Sequence, residues 1–136
     1  MGAVEELNKE LVRSFFEMLS ADDLEGVRRL FHEDATWTVM AQDIPGAGAH
    51  EGRDEIIDGF LRPIRGMFEP GDPKVTLDNV VAEGSWVAVE ATGRGRFRNG
   101  RVYDNSYVFV LQVEDGGIRT LREYMDTQHV STLVGP

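Results

Sequence analysis

The sequence predicts an α+β fold in which N-terminal helices cover one face of a curved antiparallel sheet. Apolar residues recur at helical spacing in the first half of the chain, and from Pro73 onward they alternate instead with polar residues. Three turn signals, Glu83-Gly84, Asn99-Gly100 and Asp115-Gly116-Gly117, divide the alternating part into an antiparallel meander. Helices first and a long sheet second is typical of an α+β domain.

Length and charge limit the class of protein. A chain of 136 residues with 41% hydrophobic content suffices for one core, so a single domain over residues 1–136 is predicted. The absence of cysteine excludes disulfides and thiolate metal sites. A formal net charge of −10 argues against binding nucleic acid or anionic membranes. No apolar run reaches membrane-spanning length, so a cytoplasmic location is predicted.

Three helices are predicted before the sheet. The first covers residues 4–20, and its apolar stripe consists of Val4, Leu7, Leu11, Phe15, Met18 and Leu19. A short second helix has Asp22 as its N-cap and ends over residues 31–34. Residues 35–40 alternate as a strand, and the small residues of 41–50 predict a loop. The third helix begins at Gly52, and we expect Pro63 to kink or interrupt it.

The turn at Asn99-Gly100 sets the register of the long hairpin. A two-residue turn pairs Glu90 with Phe109, Thr92 with Tyr107 and Arg94 with Asn105, all on one face. The other face would then be apolar and would consist of Val87, Val89, Ala91, Val108 and Val110. Because an antiparallel sheet is usually dry on one side only, we expect a second copy of the chain to cover that face in a homodimer.

The last strand carries the most informative pattern. Alternation places Leu121, Glu123 and Met125 on one face and Arg122, Tyr124 and Asp126 on the other. A three-residue turn at Asp115-Gly116-Gly117 pairs Phe109 with Glu123, whereas a two-residue turn brings the Arg122 face inward. The first register is favoured because Leu121 and Met125 suit an enclosed surface.

Glu123 is the leading candidate for a catalytic acid or base. A carboxyl among core-type residues has its pKa raised by desolvation, which suits a general acid or base. The structural alternative is an ion pair with Arg94 or with a helix arginine. Tyr107 and Asn105 could donate hydrogen bonds to a substrate carbonyl or enolate, or could instead close a buried polar network.

The predicted site combines catalytic and substrate-binding residues. Glu123, Tyr107 and Asn105 are the candidate catalytic residues. The candidate substrate-binding residues are Phe16, Leu19, Trp37, Val39, Glu90, Thr92, Arg94, Phe109 and Met125. No histidine has a metal-ligand spacing, and no glycine-rich phosphate loop precedes a helix, so neither a metal nor a cofactor is predicted.

Several motifs carry a family resemblance. They are Phe-His-Glu-Asp-Ala-Thr-Trp (residues 31–37), Gly-Arg-Asp-Glu-Ile (52–56), Asn-Gly-Arg-Val-Tyr-Asp-Asn-Ser-Tyr (99–107) and Arg-Glu-Tyr-Met-Asp-Thr (122–127). With the two amphipathic helices they resemble the SnoaL-like branch of the nuclear transport factor 2-like superfamily. The resemblance covers nearly the whole chain. It implies a cone-shaped sheet around the helices, a deep apolar pocket at the open end, and a dimer through the outer sheet face.

Only some of the functional positions of the family's enzymes hold a matching residue in this chain. Positions that match the steroid-isomerase machinery hold Phe15, Asn105 or Ser106, and Val39, so that machinery is missing. Limonene-epoxide hydrolases hold a water molecule with two acids and an arginine. The matching positions here are Glu123 and Thr92 for the acids and Glu90 for the arginine, so only Glu123 keeps the residue type. Glu123 also matches the acid/base aspartate of SnoaL-type polyketide cyclases.

These observations lead to an expected function. The resemblance and the residues together favour a cofactor-free enzyme of the cyclase, isomerase or hydratase type that acts on a small hydrophobic carbonyl or cyclic substrate. The alternative is a non-catalytic ligand-binding or dimerisation module of the same fold, because one fold hosts many functions. A protein-transport adaptor has the least support.

Overall fold

The computed structural model describes residues 2–134, which form one six-stranded sheet and a layer of helices. The helices are α1 (Ala3–Ser20), α2 (Leu24–Leu30), a π-helical segment (Glu55–Leu61), α3 (Arg62–Arg65) and α4 (Thr127–Val134). The strands are β1 (Phe31–Val39), β2 (Gly48–Glu51), β3 (Lys74–Glu83), β4 (Trp86–Arg96), β5 (Val102–Glu114) and β6 (Gly117–Met125). Among the described residues, no helix is long and apolar enough to cross a membrane.

The strands follow the order β2-β1-β6-β5-β4-β3 in a curved, unclosed sheet. The predicted meander of β3 to β6 is antiparallel throughout. β1 pairs with β6 in parallel, so the sheet is mixed rather than fully antiparallel. The predicted α+β class with helices against one face of the sheet is confirmed.

The first helix differs from the prediction at its N-terminal end. Val12, Phe15, Phe16 and Leu19 are buried, whereas Val4 and Leu7 are exposed. The prediction that Val4 and Leu7 belong to the buried stripe is therefore wrong. This end of α1 lies beside the β3–β4 turn, where the side chains of Glu5 and Asn8 hydrogen bond the backbone of Gly84.

Two element boundaries also differ from the prediction. α2 ends at Leu30, and Phe31 already has the extended backbone of β1, so residues 31–34 belong to a strand rather than a helix. Part of the predicted 41–50 loop forms β2, which pairs with β1. The interruption expected at Pro63 takes the form of a change from π-helical to α-helical winding at Arg62, directly before a residue that has no N–H to donate.

The β4–β5 register differs from the prediction by one residue. The Phe97 N–H donates to the Arg101 carbonyl over 2.9 Å, so the loop has three residues and ends at Gly100, whose φ of 89° is left-handed. Phe109 consequently pairs with Val89, and Glu90 pairs with Val108. A one-residue shift reverses the face of every side chain on one strand relative to the other.

The β5–β6 register follows the favoured prediction, but the turn that produces it is different. Phe109 pairs with Glu123 as expected. The turn has two residues, Asp115 and Gly116, with φ of 50° and 73°, rather than three. A bulge at Arg119 then adds the residue that restores the predicted register.

The corrected registers change the composition of both sheet faces. Val87, Val89 and Ala91, predicted on the outer face, are buried in the core. A second bulge, at Asp78, turns Asn79 and Val81 away from the inner face that Val75 and Leu77 share. The outer face retains five exposed large apolar side chains, namely Val81, Trp86, Val102, Val108 and Tyr124. The homodimer through this face stays a prediction.

Asn105 joins the middle of β5 to the end of β6. Its Oδ1 accepts from the Asp126 N–H over 3.1 Å, and its Nδ2 donates to the Asp126 carbonyl over 3.2 Å. The same Nδ2 donates to the Tyr103 hydroxyl over 3.0 Å. The side chain is 2% exposed, so these bonds are shielded from water. Asn105 therefore fixes the start of α4, which covers the open end of the sheet.

We expect Asn105→Ala to lower the free energy of unfolding by about 2 kcal/mol, because the Asp126 backbone groups lose their partner in a shielded position. Urea unfolding measures the change. Ser106→Ala, at the exposed neighbouring position, is the matched control and should stay within about 0.5 kcal/mol of the wild type. Equal stabilities for the two variants would show that the hydrogen bonds between Asn105 and Asp126 do not stabilise the fold.

Candidate active site

A cavity of about 100 Å³ lies between the concave face of the sheet and the helices. Its wall is mainly apolar and comes from α1, β1, the loop before β2, the π-helical segment, the sheet and α4. The apolar side chains include Leu19, Trp37, Val39, Phe60, Phe109, Met125 and Val130. Four polar side chains interrupt this wall: Glu123, Tyr103, Tyr107 and Arg65.

Glu123 reaches the cavity because β6 is held between β5 and β1. It pairs with Phe109 on one side and with Val39 on the other. Its carboxylate Oε1 accepts a hydrogen bond of 2.8 Å from Trp37 Nε1, and the residue is 8% exposed. No arginine or lysine between residues 2 and 134 forms an ion pair with it, so the predicted alternative of a salt-bridged Glu123 is not what the structure shows.

The pKa of Glu123 is raised to about 7 by burial, against an ordinary value of 4.5. The hydrogen bond from Trp37 opposes this shift but is too weak to cancel it. Removal from water disfavours the charged carboxylate, and a single neutral donor replaces little of the lost hydration. Near neutral pH both the acid and the base forms of Glu123 are therefore populated.

Two tyrosines on β5 form a hydroxyl pair beside Glu123. Tyr103 and Tyr107 hydrogen bond each other through their hydroxyl groups. Burial raises the pKa of Tyr103 to about 12 and that of Tyr107 well above its usual range, so both phenols stay protonated near neutral pH. Tyr107 and Glu123 are diagonal neighbours on adjacent strands, with backbones about 7 to 8 Å apart.

A count of hydrogens shows what the tyrosine pair can donate. The Asn105 amide uses both Nδ2 hydrogens, one on the Tyr103 hydroxyl and one on the Asp126 carbonyl. The two phenols have two hydrogens, and their mutual bond uses one of them. Within residues 2–134 the other hydrogen has no acceptor. One phenol donor therefore remains for a molecule in the cavity.

Arg65 is a buried cation in the same wall. It lies in α3, is 8% exposed, and its Nε donates to the Asp22 carboxylate in the turn after α1. Its Nη2 donates to the Pro73 carbonyl over 3.2 Å. The Asp22 carboxylate also accepts from the Gly71 N–H over 2.6 Å. These contacts hold the guanidinium in place at the cavity edge.

The structure brings together most of the predicted site residues. Those that line the cavity are Glu123, Tyr107, Leu19, Trp37, Val39, Phe109 and Met125. Phe16 is buried against Phe109 behind the wall, with the ring centroids 4.8 Å apart, and does not line the cavity. Asn105 is fully engaged with Tyr103 and Asp126, so it supports the site without lining it.

Three predicted substrate-binding residues lie on the opposite side of the sheet. Glu90 bonds to Asn79, Thr92 bonds to Asp78, and Arg94 forms an ion pair with Asp104, all on the outer face. Their placement in the pocket is wrong because the β4–β5 loop has three residues rather than two. The predicted row of Glu90, Phe109 and Glu123 therefore consists of Val89, Phe109 and Glu123.

The sequence reasoning did not identify Tyr103 and Arg65. Tyr103 could have been found by continuing the alternation from Phe109 through Tyr107 and Asn105. Arg65 follows Leu61 by four residues, so it falls on the apolar face of its helix, an unusual position for a cation. The predicted 41–50 loop also contributes to the cavity wall, through Ile44 and Pro45.

Histidines and acids offer no alternative centre among the described residues. No group of three or more His, Asp or Glu side chains in residues 2–134 is arranged to hold a metal ion. His50 is held against the Gly46 carbonyl at 2.7 Å and stacks on Phe60 with the ring centroids 4.1 Å apart. The polar chemistry of the cavity therefore comes from Glu123, the tyrosine pair and Arg65.

Comparison with solved structures supports the same architecture. An NTF2-like protein of unknown function from Burkholderia pseudomallei shares 26% identity, with a TM-score of 0.85 over 96% of this chain and 98% of that chain. An NTF2-like protein from Burkholderia xenovorans shares 25% identity, with a TM-score of 0.79 over 96% and 97% of the two chains. A protein from Jannaschia sp. described as a SnoaL-like polyketide cyclase shares 23% identity, with a TM-score of 0.83 over 100% and 98%, and shows the fold alone.

Sequence comparison identifies the family. No curated protein matches the sequence significantly. The family model for the SnoaL-like domain matches residues 12–121, which include the C-terminal half of α1, the whole sheet as far as Leu121, and most of the cavity wall. This match covers well over half of the chain and agrees with the NTF2-like architecture of the solved structures. The chain therefore belongs to the SnoaL-like domain family.

Proposed function

We propose that this protein is a cofactor-free enzyme that performs acid–base chemistry, of the cyclase, isomerase or hydratase type, on a small hydrophobic carbonyl or cyclic molecule. One observation carries the proposal. The Glu123 carboxyl is buried in the wall of an apolar cavity with a single neutral hydrogen-bond donor, and its pKa is about 7. A group that titrates near the working pH can both accept and return a proton.

The proposal gives roles to Glu123, the tyrosine pair and Asn105. As a carboxylate, Glu123 takes a proton from a carbon next to a carbonyl group. The free phenol hydrogen of the Tyr103–Tyr107 pair donates to that carbonyl oxygen and stabilises the negative charge that develops there. Asn105 positions Tyr103 and does not itself contact the substrate. As a neutral acid, Glu123 then returns the proton to a different carbon in an isomerisation, to the alkoxide formed when the enolate carbon attacks a second carbonyl in a cyclisation, or to a β-hydroxyl group that leaves as water in a dehydration.

The apolar wall strengthens this chemistry and limits the substrate. Aromatic and aliphatic side chains exclude water, so hydrogen bonds to a developing charge are stronger than they are in solvent. An apolar cavity of about 150 Å³ can hold benzene. The cavity of about 100 Å³ is smaller than that, so it limits the substrate to no more than one small ring.

We expect the wild-type protein to accelerate the exchange of α-hydrogens for deuterium in single-ring ketones such as cyclopentanone and cyclohexanone in D₂O, measured by proton NMR. Glu123→Gln keeps the size of the side chain but removes the base. The protein-catalysed rate should therefore fall by on the order of 100-fold or more. Glu90→Gln removes an exposed acid from the outer face and is the matched control, with an unchanged rate.

The same assay separates the enzyme from the binding module. Equal exchange rates for the wild type and Glu123→Gln would contradict the proposed role of Glu123. If the ketones shift the Trp37 indole signal of the wild type but exchange no faster than in buffer, the cavity binds without turnover. That outcome would favour the non-catalytic ligand-binding module.

We also expect ionisation of the Glu123 carboxyl to make the free energy of unfolding depend on pH. Its folded pKa of about 7 exceeds the ordinary value of 4.5, so its stabilising contribution is complete below about pH 4.5 and is lost as the pH rises through 7. Glu123→Gln cannot ionise. The free energy of unfolding of Glu123→Gln minus that of the wild type should therefore increase by on the order of 3 kcal/mol between about pH 4.5 and pH 9.

Urea unfolding of both proteins across this pH range measures the difference, and subtraction removes the contribution of all other groups. Glu90→Gln again serves as the control, because an exposed carboxyl should leave the difference from the wild type nearly constant. A flat difference for Glu123→Gln would show that the Glu123 carboxyl is hydrated in the folded protein.

A further inference from the structure

Part of the Arg65 guanidinium has no partner among residues 2–134, although the rest binds Asp22 and Pro73. Nε donates to the Asp22 carboxylate and Nη2 donates to the Pro73 carbonyl. Nη1 forms no hydrogen bond with any residue from Gly2 to Val134, although the side chain lines the cavity. A guanidinium is always charged and has five N–H donors, so an unused pair at a cavity is a strong donor for a ligand.

The charges around the cavity are arranged asymmetrically. Asp22, the counterion of Arg65, is occupied on both oxygens, one by Arg65 and the other by the Gly71 N–H. The wall of the cavity itself contains one cation, Arg65, and one acid, Glu123. The Arg65 charge also acts on the tyrosine pair: burial raises the pKa of Tyr107 well above its usual range, and the Arg65 cation partly opposes that shift. Arg65 therefore provides the cationic N–H donors of the cavity wall, with its counterion Asp22 outside that wall.

The unused donors and the acceptor predict the polarity of the ligand. Arg65 Nη1 and one phenol hydrogen are donors without acceptors, and both lie in the wall with Tyr107. Glu123 is the one group that can take a proton. A matching molecule has one oxygen acceptor for Arg65 Nη1, a carbonyl oxygen for the phenol hydrogen, and its reacting carbon at Glu123. Because hydrogen bonds between ionised partners are about twice as strong as neutral ones, an anionic oxygen fits Arg65 Nη1 better than a neutral one.

We propose that Arg65 is a substrate-binding residue, and that the natural substrate is a small single-ring organic acid whose carboxylate or other anionic oxygen binds Arg65 Nη1, while its carbonyl oxygen accepts the free phenol hydrogen of the tyrosine pair. This inference rests on the proposed function for the position of the reacting carbon at Glu123. It adds the charge of the substrate, which neither the fold nor the acid–base role of Glu123 determines.

Benzoate and benzamide test the proposal, because they have nearly the same shape and differ in charge. Binding is followed through the Trp37 indole N–H signal in nitrogen–proton NMR spectra, since that group lies in the cavity wall. The wild type should bind benzoate at least about tenfold more tightly than benzamide at about pH 5.5, where Glu123 is mostly neutral. Ionised Glu123 repels the anion, so this preference should decrease at about pH 8.5.

Variants separate Arg65 from Glu123. Arg65→Gln removes the charge and should abolish the preference for benzoate, whereas Arg65→Lys keeps the charge without the planar fork and should keep part of it. Arg94→Gln, an exposed arginine of the outer face, is the charge-matched control and should retain the full preference. Glu123→Gln should keep the benzoate preference and lose its pH dependence.

Each outcome decides a separate claim. Loss of the preference in Arg65→Gln, with retention in Arg94→Gln and Glu123→Gln, supports the proposal. Equal affinities for benzoate and benzamide in the wild type, or no benzoate binding, overturn it. Retention of the full preference in Arg65→Gln overturns it too, and if that variant does not fold, an undiminished preference in Arg65→Lys, which has no Nη1, overturns it instead. A Glu123→Gln protein with the same pH dependence as the wild type contradicts the proposed function but leaves the Arg65 assignment intact.

Discussion

The burial of the Glu123 carboxyl against Trp37 is the interaction on which the site depends. An acid at this depth would cost several kcal/mol if it were ionised without partners, so the fold lets it titrate near neutrality instead. The backbone makes this arrangement possible. Pairing of β6 with β5 and with β1 points Glu123 into the cavity, and a shift of one residue would replace it with Arg122 or Tyr124. The chemistry of the cavity is thus a consequence of strand register.

Register is also where the sequence was least informative. Asn99-Gly100 is compatible with a two-residue loop flanked by Arg98 and Arg101 or with a three-residue loop flanked by Phe97 and Arg101, and the turn residues alone do not decide between them. Glu90, Thr92 and Arg94 were assigned to the pocket by a loop one residue too short. In contrast, Leu121 and Met125 on both sides of Glu123 identified its face correctly, because two large apolar neighbours cannot face water without cost. The favoured β5–β6 register was right even though a bulge, rather than a longer turn, produces it.

Long-range partners explain the rest of what the sequence did not reveal. The α+β class and the order of helices and strands follow from periodicity, which is a local property of the chain. The parallel pairing of β1 with β6 and the contact between Trp37 and Glu123, by comparison, join segments 86 residues apart. Arg65 and Asp22 are likewise 43 residues apart, so nothing local indicated that a cation on an apolar helix face had a counterion. Asn105 looked catalytic because it alternates with Tyr107, but Asp126 uses its amide.

The central claim is that the Glu123 carboxyl is buried and titrates near neutral pH. Carbon-13 NMR of protein labelled at glutamate side-chain carboxyls, with Glu123→Gln used to assign the signal, follows that one group directly. We predict a midpoint near 7 for the Glu123 signal. A midpoint near the ordinary value of 4.5 would contradict the account, because a hydrated carboxyl is fully ionised at neutral pH and has no proton to return.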